Sequence, residues 1–211
     1  MKINEIFKSI QGETSYAGLP CIFIRITGCN LRCSYCDTTY AFEDGKEMSI
    51  NSIIESVDRL RSKLVCVTGG EPLFNIETPY LITELLNKKH TVMVETNGSC
   101  DISIISKEAI KIMDIKCPDS YMTHLMNWKN IEYLSKIDEV KFVLNSRNDY
   151  DWAKDIIKKY NLSEITNVLI GTVFGTTYPK NVVKWILEDD LIVRFQLQLH
   201  KYIWEPDTRG V

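Results

Sequence analysis

Three cysteines stand within eight residues, Cys29-Asn30-Leu31-Arg32-Cys33-Ser34-Tyr35-Cys36, at the spacing C-x3-C-x2-C. Thiolates are soft ligands and select zinc, copper(I) or an iron–sulfur cluster. A structural zinc site closes its shell with four ligands, and no Cys or His falls between residues 37 and 65 to supply the fourth. Three thiolates instead suit a four-iron cluster whose fourth iron stays open. An open iron can bind a small molecule and pass it an electron. The chain has seven cysteines in all, and an odd number speaks for metal or redox use rather than a disulfide framework. Cys21 and Cys66 lie inside apolar runs and read as core. Cys100 and Cys117 fall at loop positions and read as bystanders.

Other polar residues occupy conspicuous places. Gly69-Gly70-Glu71-Pro72 closes an apolar run; paired glycines there let backbone approach a ligand closely, although alone the tetrapeptide is an ordinary turn. Arg25 interrupts the apolar CIFIRIT, where an unpaired charge is costly. Its forked guanidinium suits a carboxylate ligand, the alternative being an arginine paired with an acid at a strand end. Glu13 can accept from a planar edge of N–H donors, or be an exposed loop charge. His200 is one of three histidines, and a lone strand-end histidine serves structure as readily as a ligand.

The elements that must position these residues alternate along the chain. Strands are expected at 21–27, 63–68, 90–95, 109–115, 139–144, 167–170 and 193–199, from β-branched and apolar runs. Helices are expected at 50–60 with Ser49 as cap, 79–89 with Thr78 as cap and Pro79 leading, 150–160, and 180–187. Trp152, Ile156, Ile157 and Trp185 read as core, and Lys154, Lys158 and Lys159 as a solvated face. Alternation of this kind implies an α/β fold with parallel pairing and right-handed crossovers. About six mostly parallel strands would make an open sheet or an incomplete barrel. In such folds chemistry sits at the C-terminal ends of strands. The segments 28–37, 69–72, 96–98, 116–119, 171–176 and 200 onward all follow strands, so they should converge on one mouth.

Composition narrows the class. The 211 residues are 45% hydrophobic and 25% charged, as in globular chains. No apolar run reaches membrane-spanning length, and the first residues show no secretory h-region, so a cytoplasmic protein is expected. Lys and Arg number 25 against 28 acids, which argues against a duplex nucleic-acid partner. No linker divides the chain, and a single domain over 1–211 is expected.

The C-x3-C-x2-C motif with an aromatic before its last cysteine, together with Gly69-Gly70-Glu71-Pro72, resembles the signature of radical S-adenosylmethionine enzymes. Ser9-Ile10-Gln11-Gly12-Glu13, Gly18-Leu19-Pro20, Cys36-Asp37-Thr38 and Gln196-Leu197-Gln198-Leu199-His200-Lys201 narrow this further. Over essentially the whole chain the set resembles the 7-carboxy-7-deazaguanine synthase family. That resemblance implies a modified, incomplete β/α barrel of the radical type. It implies conversion of 6-carboxy-5,6,7,8-tetrahydropterin to 7-carboxy-7-deazaguanine with loss of ammonia, in queuosine and archaeosine precursor biosynthesis.

The implied cofactors are a four-iron, four-sulfur cluster, S-adenosylmethionine and magnesium. The implied partners are an electron donor such as flavodoxin or ferredoxin and a second copy in a homodimer. By the same resemblance Cys29, Cys33 and Cys36 hold the cluster and Thr38 the magnesium. Ile10, Gln11, Gly12, Glu13, Arg25, Thr68 and His200 contact substrate. Tyr35, Gly70, Glu71, Asp114, Lys116, Gly171, Thr172 and Phe174 contact S-adenosylmethionine. Val211 stands where several members of the family end in a substrate-contacting proline. Two other readings compete. A glycyl-radical activase shares the cysteine motif but needs no carboxylate clamp. A non-catalytic zinc or iron–sulfur module would take up no S-adenosylmethionine.

Overall fold

A computed structural model describes all 211 residues. Its strands are β1 (Lys2–Ile10), β2 (Pro20–Ile26), β3 (Lys46–Glu47), β4 (Leu64–Gly69), β5 (Thr91–Thr96), β6 (Ile110–Asp114), β7 (Glu139–Leu144), β8 (Asn167–Thr172) and β9 (Arg194–Phe195). They form one sheet in the order β3-β1-β2-β4-β5-β6-β7-β8-β9. From β2 onward every pairing is parallel, whereas β1 runs antiparallel to both its neighbours. β3 and β9 do not pair, so the barrel is incomplete. The sequence pointed to about six strands; the parallel stretch holds seven and the antiparallel edge adds two.

Helices α1 (Ile50–Leu60), α2 (Thr78–Asn87), α3 (Arg147–Lys159) and α5 (Pro179–Glu188) pack outside the sheet, with one-turn helices α4 (Leu162–Ile165) and α6 (His200–Ile203). Ser49 caps α1 as expected, accepting from the Ser52 amide at 3.2 Å. Thr78 is not a cap. It is the first residue of α2, and its hydroxyl donates to the Pro72 carbonyl at 2.6 Å, leaving Glu77 at the cap position. Lys154 departs from the expected solvated face, because its ammonium lies 3.0 Å from Asp189. Lys158 and Lys159 are exposed.

Two residues per repeat is the rule that organises the site. Successive side chains of a strand point to opposite faces. On β2, Ile22, Ile24 and Ile26 join the large core beneath the helices. Cys21 and Phe23 point to the concave side, where they pack with Leu64, Cys66, Met93, Ile110 and Ile112 in a second, smaller apolar cluster. Moving along the strands by two residues from this plug reaches Arg25, Thr68, Glu95 and Asp114, which line one cavity together with Lys141 of β7. Cys21 and Cys66 are therefore core, as expected, and burial pushes the Cys21 thiol up to about 12.

Asp138 closes the opposite end of the sheet. Its carboxylate is fully buried and accepts from the Lys111 amide (2.8 Å), the Lys111 ammonium (3.3 Å) and the Ser135 amide (2.8 Å) and hydroxyl (2.7 Å). Asp138→Ala strands a buried ammonium and should lower stability by about 3–5 kcal/mol. Urea unfolding measures this as a lower midpoint at unchanged slope.

Candidate active site

The cavity opens at the C-terminal ends of the parallel strands, with a volume of about 520 Å3. Cys29, Cys33 and Cys36 line one side of it as free thiols on the loop after β2. Cys29 Sγ accepts from the Leu31 amide at 3.4 Å and from Asn97 Nδ2 at 3.8 Å. Burial pushes the Cys33 thiol up to about 11 and raises Cys36 as well. No three Cys, His, Asp or Glu side chains converge on a single ion. The three half-buried thiols fit a cluster that takes each thiolate at a separate iron rather than one tetrahedral zinc.

The glycine motif fixes that loop. Gly70 N donates to the Ile26 carbonyl at 3.2 Å, and Glu71 N donates to the Gly28 carbonyl at 2.8 Å. A Cβ on Gly70 would lie 2.2 Å from Gly28 O and 2.8 Å from Cys29 Cβ, so no side chain fits. Glu71, expected at the cofactor, does not line the cavity. Its fully buried carboxylate accepts from the Leu73 amide (3.0 Å), the Thr96 hydroxyl (2.8 Å) and the Asn97 amide (2.6 Å). It joins the loops after β4 and β5 to each other.

The remaining wall is charged. Glu13 Oε2 accepts from Lys141 Nζ at 2.7 Å, and Oε1 accepts from Gln198 Nε2 at 2.8 Å. Lys141 Nζ lies 3.7 Å from Asp114 Oδ2, which lies 3.0 Å from Lys116 Nζ. Burial alone would raise Glu13, but the Lys141 ammonium holds it below the usual carboxylate range. Burial likewise opposes the charge on Lys141, and Glu13 and Asp114 more than offset it. Asp114 lines the cavity while its buried Oδ1 has no hydrogen-bond partner, leaving an acceptor free for a ligand donor. Thr68 Oγ1 and Gln11 Nε2 donate to Glu95 at 3.1 and 3.4 Å.

Arg25 lines the same wall but is not unpaired, because its Nε donates to Glu5 Oε1 at 2.7 Å. Its two terminal nitrogens make no hydrogen bond to the protein. Thr38 donates to Asp37 at 2.9 Å, and Asp37 accepts from Lys201 at 2.9 Å, which holds the Asp37 carboxylate well below its ordinary range against the effect of burial. His200 was expected at a strand end. It opens α6 instead, because the chain leaves the sheet after Phe195. Its imidazole packs so close to Gly12 that a Cβ there would lie 2.1 Å from Nδ1. Burial lowers its pKa and favours the neutral ring.

Of the residues singled out from the sequence, Ile10, Gln11, Gly12, Glu13, Arg25, Thr68, His200, Val211, Tyr35, Gly70, Asp114, Lys116, Phe174, Thr38 and the three cysteines share this cavity. Gly171 and Thr172 are buried in β8 and stand off the wall, like Glu71. Sequence reasoning passed over Lys141 and Glu95, and placed Asn97 at the mouth only as part of the 96–98 turn. The signal for Lys141 was the one that exposed Arg25, a cation inside an apolar strand.

An incomplete parallel barrel with a three-thiol loop after its first parallel strand and a glycine pair after the next defines the class of radical S-adenosylmethionine proteins. The Radical SAM superfamily model matches residues 23–189. Curated relatives named 7-carboxy-7-deazaguanine synthase match throughout. They include one from Koribacter versatilis (38% identity, 100% of each chain), one from Chlorobaculum tepidum (42%, 100% of this chain and 97% of the relative) and one from Clostridium acetobutylicum (40%, 100% and 99%). The crystal structure of QueE from Escherichia coli shares the fold at a TM-score of 0.79, 20% identity and 94% of each chain. The chain belongs to the 7-carboxy-7-deazaguanine synthase family of the radical SAM superfamily.

Lys141→Met leaves Glu13 buried without its cation and should cost about 3–5 kcal/mol in urea unfolding. The double variant Glu13→Gln/Lys141→Met should recover most of that loss. The pH dependence should reverse in sign. Glu13 is held below its ordinary value of 4.5, so in the wild type its contribution is lost as pH falls below that value. In Lys141→Met its pKa rises, and the same acid range stabilises the fold.

Proposed function

We propose that this chain is a carbon–nitrogen lyase that converts 6-carboxy-5,6,7,8-tetrahydropterin to 7-carboxy-7-deazaguanine and ammonia, through one domain spanning residues 1–211. The observation that carries this reading is a single cavity with three free thiols on one side and a paired-charge wall opposite. When bound, the four-iron cluster and S-adenosylmethionine supply a 5′-deoxyadenosyl radical able to take hydrogen from C6 of the pterin.

The chain's own residues bind, orient and exclude water. Cys29, Cys33 and Cys36 would hold the cluster. The unsatisfied Asp114 oxygen and Lys116 suit the polar edge of S-adenosylmethionine, with the Gly70 backbone close by. A carboxylate has about four lone-pair sites. Glu13 uses one on Lys141 and one on Gln198, and so keeps acceptors for the amino and ring N–H groups of a pterin. Because Lys141 keeps Glu13 ionised, those acceptors stay aimed without rearrangement. Arg25 offers its terminal nitrogens to the substrate carboxylate. Gln11, Thr68 and His200 complete the pocket, with the neutral imidazole of His200 bringing no competing charge. Thr38, beside the ionised Asp37, would take part in magnesium binding only when substrate oxygens complete the shell. An external electron donor such as flavodoxin or ferredoxin, a homodimeric state and a cytoplasmic setting belong to the same proposal. No helix is long and apolar enough to cross a membrane.

Anaerobic reconstitution with iron and sulfide, reduction, and addition of S-adenosylmethionine, magnesium and 6-carboxytetrahydropterin tests the proposal by mass spectrometry. 7-Carboxy-7-deazaguanine should appear, and should vanish in Cys33→Ala. Formation of 5′-deoxyadenosine alone would show that the substrate is wrong and favour the activase reading. Failure to form either product in protein carrying its cluster would overturn the radical reading.

A further inference from the structure

Residues 206–211 fold over the cavity and line it. Within this tail Arg209 stacks its guanidinium on the Tyr40 ring, 3.8 Å from the centroid. Arg25 lies 5.8 Å from the centroid of the same ring. Tyr40 is itself fixed, because its hydroxyl donates to Glu5 Oε1 at 3.1 Å, the oxygen that also takes Arg25 Nε. The two arginines differ in one respect. Arg25 is partly neutralised by Glu5, whereas Arg209 makes no ion pair and no hydrogen bond with any group of the chain. Asp207, on the same tail and the same wall, pairs with neither arginine.

A guanidinium held over an aromatic ring spends none of its N–H donors on a protein acceptor and keeps them for a bidentate ligand. Here those donors belong to a side chain of the cavity wall on which Arg25 stands. We propose that Arg209 is a second carboxylate anchor of the substrate pocket. With Arg25 it forms a clamp of two guanidiniums for the C6 carboxylate of the pterin, and so makes the tail a specificity-determining element. Arg25 alone, already holding Glu5, supplies less than a full counter-charge to a substrate anion. Arg209 supplies the remainder from a tail whose local turn, Thr208 N donating to Glu205 O at 2.9 Å, holds it beside the cavity. This inference rests on the pterin reading above.

Two ligands with the same ring separate charge recognition from general binding: 7-carboxy-7-deazaguanine and 7-deazaguanine, which lacks the carboxylate. Their affinities for the cluster-loaded, S-adenosylmethionine-bound protein are measured by anaerobic equilibrium dialysis. Arg209→Gln should weaken the carboxylated ligand about tenfold and leave 7-deazaguanine unchanged. Arg209→Lys, which keeps the charge without the fork, should restore part of the preference. The same variants should raise KM for the pterin more than they lower kcat. Equal weakening of both ligands in Arg209→Gln would make the tail merely structural, and unchanged affinity for both would show that Arg25 acts alone; either result overturns the proposal. If those results come with normal wild-type turnover, the function reading stands. If the wild type neither binds nor makes the carboxylated product, the function reading falls and this inference with it.

Discussion

Strands send alternate side chains to opposite faces, and the site depends on that constraint. Because β2 and β4 to β7 run parallel and side by side, their concave faces are aligned end to end. The early positions of β2, β4, β5 and β6 form an apolar plug. The positions beyond it carry Arg25, Thr68, Glu95, Asp114 and Lys141. A slip of one residue in β2, β5, β6 or β7 would send its charge into the helix-covered core and an apolar side chain into the cavity. The cost of burying a lone charge therefore defends the register as strongly as the burial of the apolar face does.

The charged wall is affordable to the fold because its members are paired in sequence across it. Lys141 faces Glu13 and Asp114, and Asp114 faces Lys116. Such a chain has little freedom to relax around a ligand, which is what a site handling a reactive radical requires: groups in place before the chemistry begins, and no loose hydrogen donors. Glu71 performs the matching task for the backbone. One carboxylate gathers the loops after β4 and β5, while the adjoining glycine leaves room for the carbonyl of Gly28 and for Cys29.

Much of this was legible in the order of residues, for reasons that differ by element. α1 and β7 were read at their observed bounds because their apolar spacing is regular and their flanks are polar. β1 was not read, because Lys2–Ile10 mixes charged and apolar residues and most of its side chains are only half-buried, so no clear alternation marks it. α3 begins at Arg147 under a Ser146 cap, three residues before its first apolar position, so the pattern alone started it late. The last expected strand shrank to Arg194–Phe195, since Gln196 to Leu199 turn away to bond with the 12–14 segment. The cysteine loop announced its chemistry through spacing. Partnerships such as Arg25 with Glu5 and Lys141 with Glu13 join residues up to 128 positions apart, which no local pattern records.

The gap in the incomplete barrel is spanned by the two ends of the chain. Leu199 N donates to the Gly12 carbonyl at 2.8 Å, Thr14 N donates to Gln196 Oε1 at 2.7 Å, and Gln198 reaches Glu13 across 185 positions. This part of the pocket wall is thus assembled from stretches more than 180 positions apart. Loop-closure entropy sets the cost of the final meeting. A ligand that touches both stretches adds its binding energy to that closure, so occupancy of the pocket and closure of this wall are one linked equilibrium.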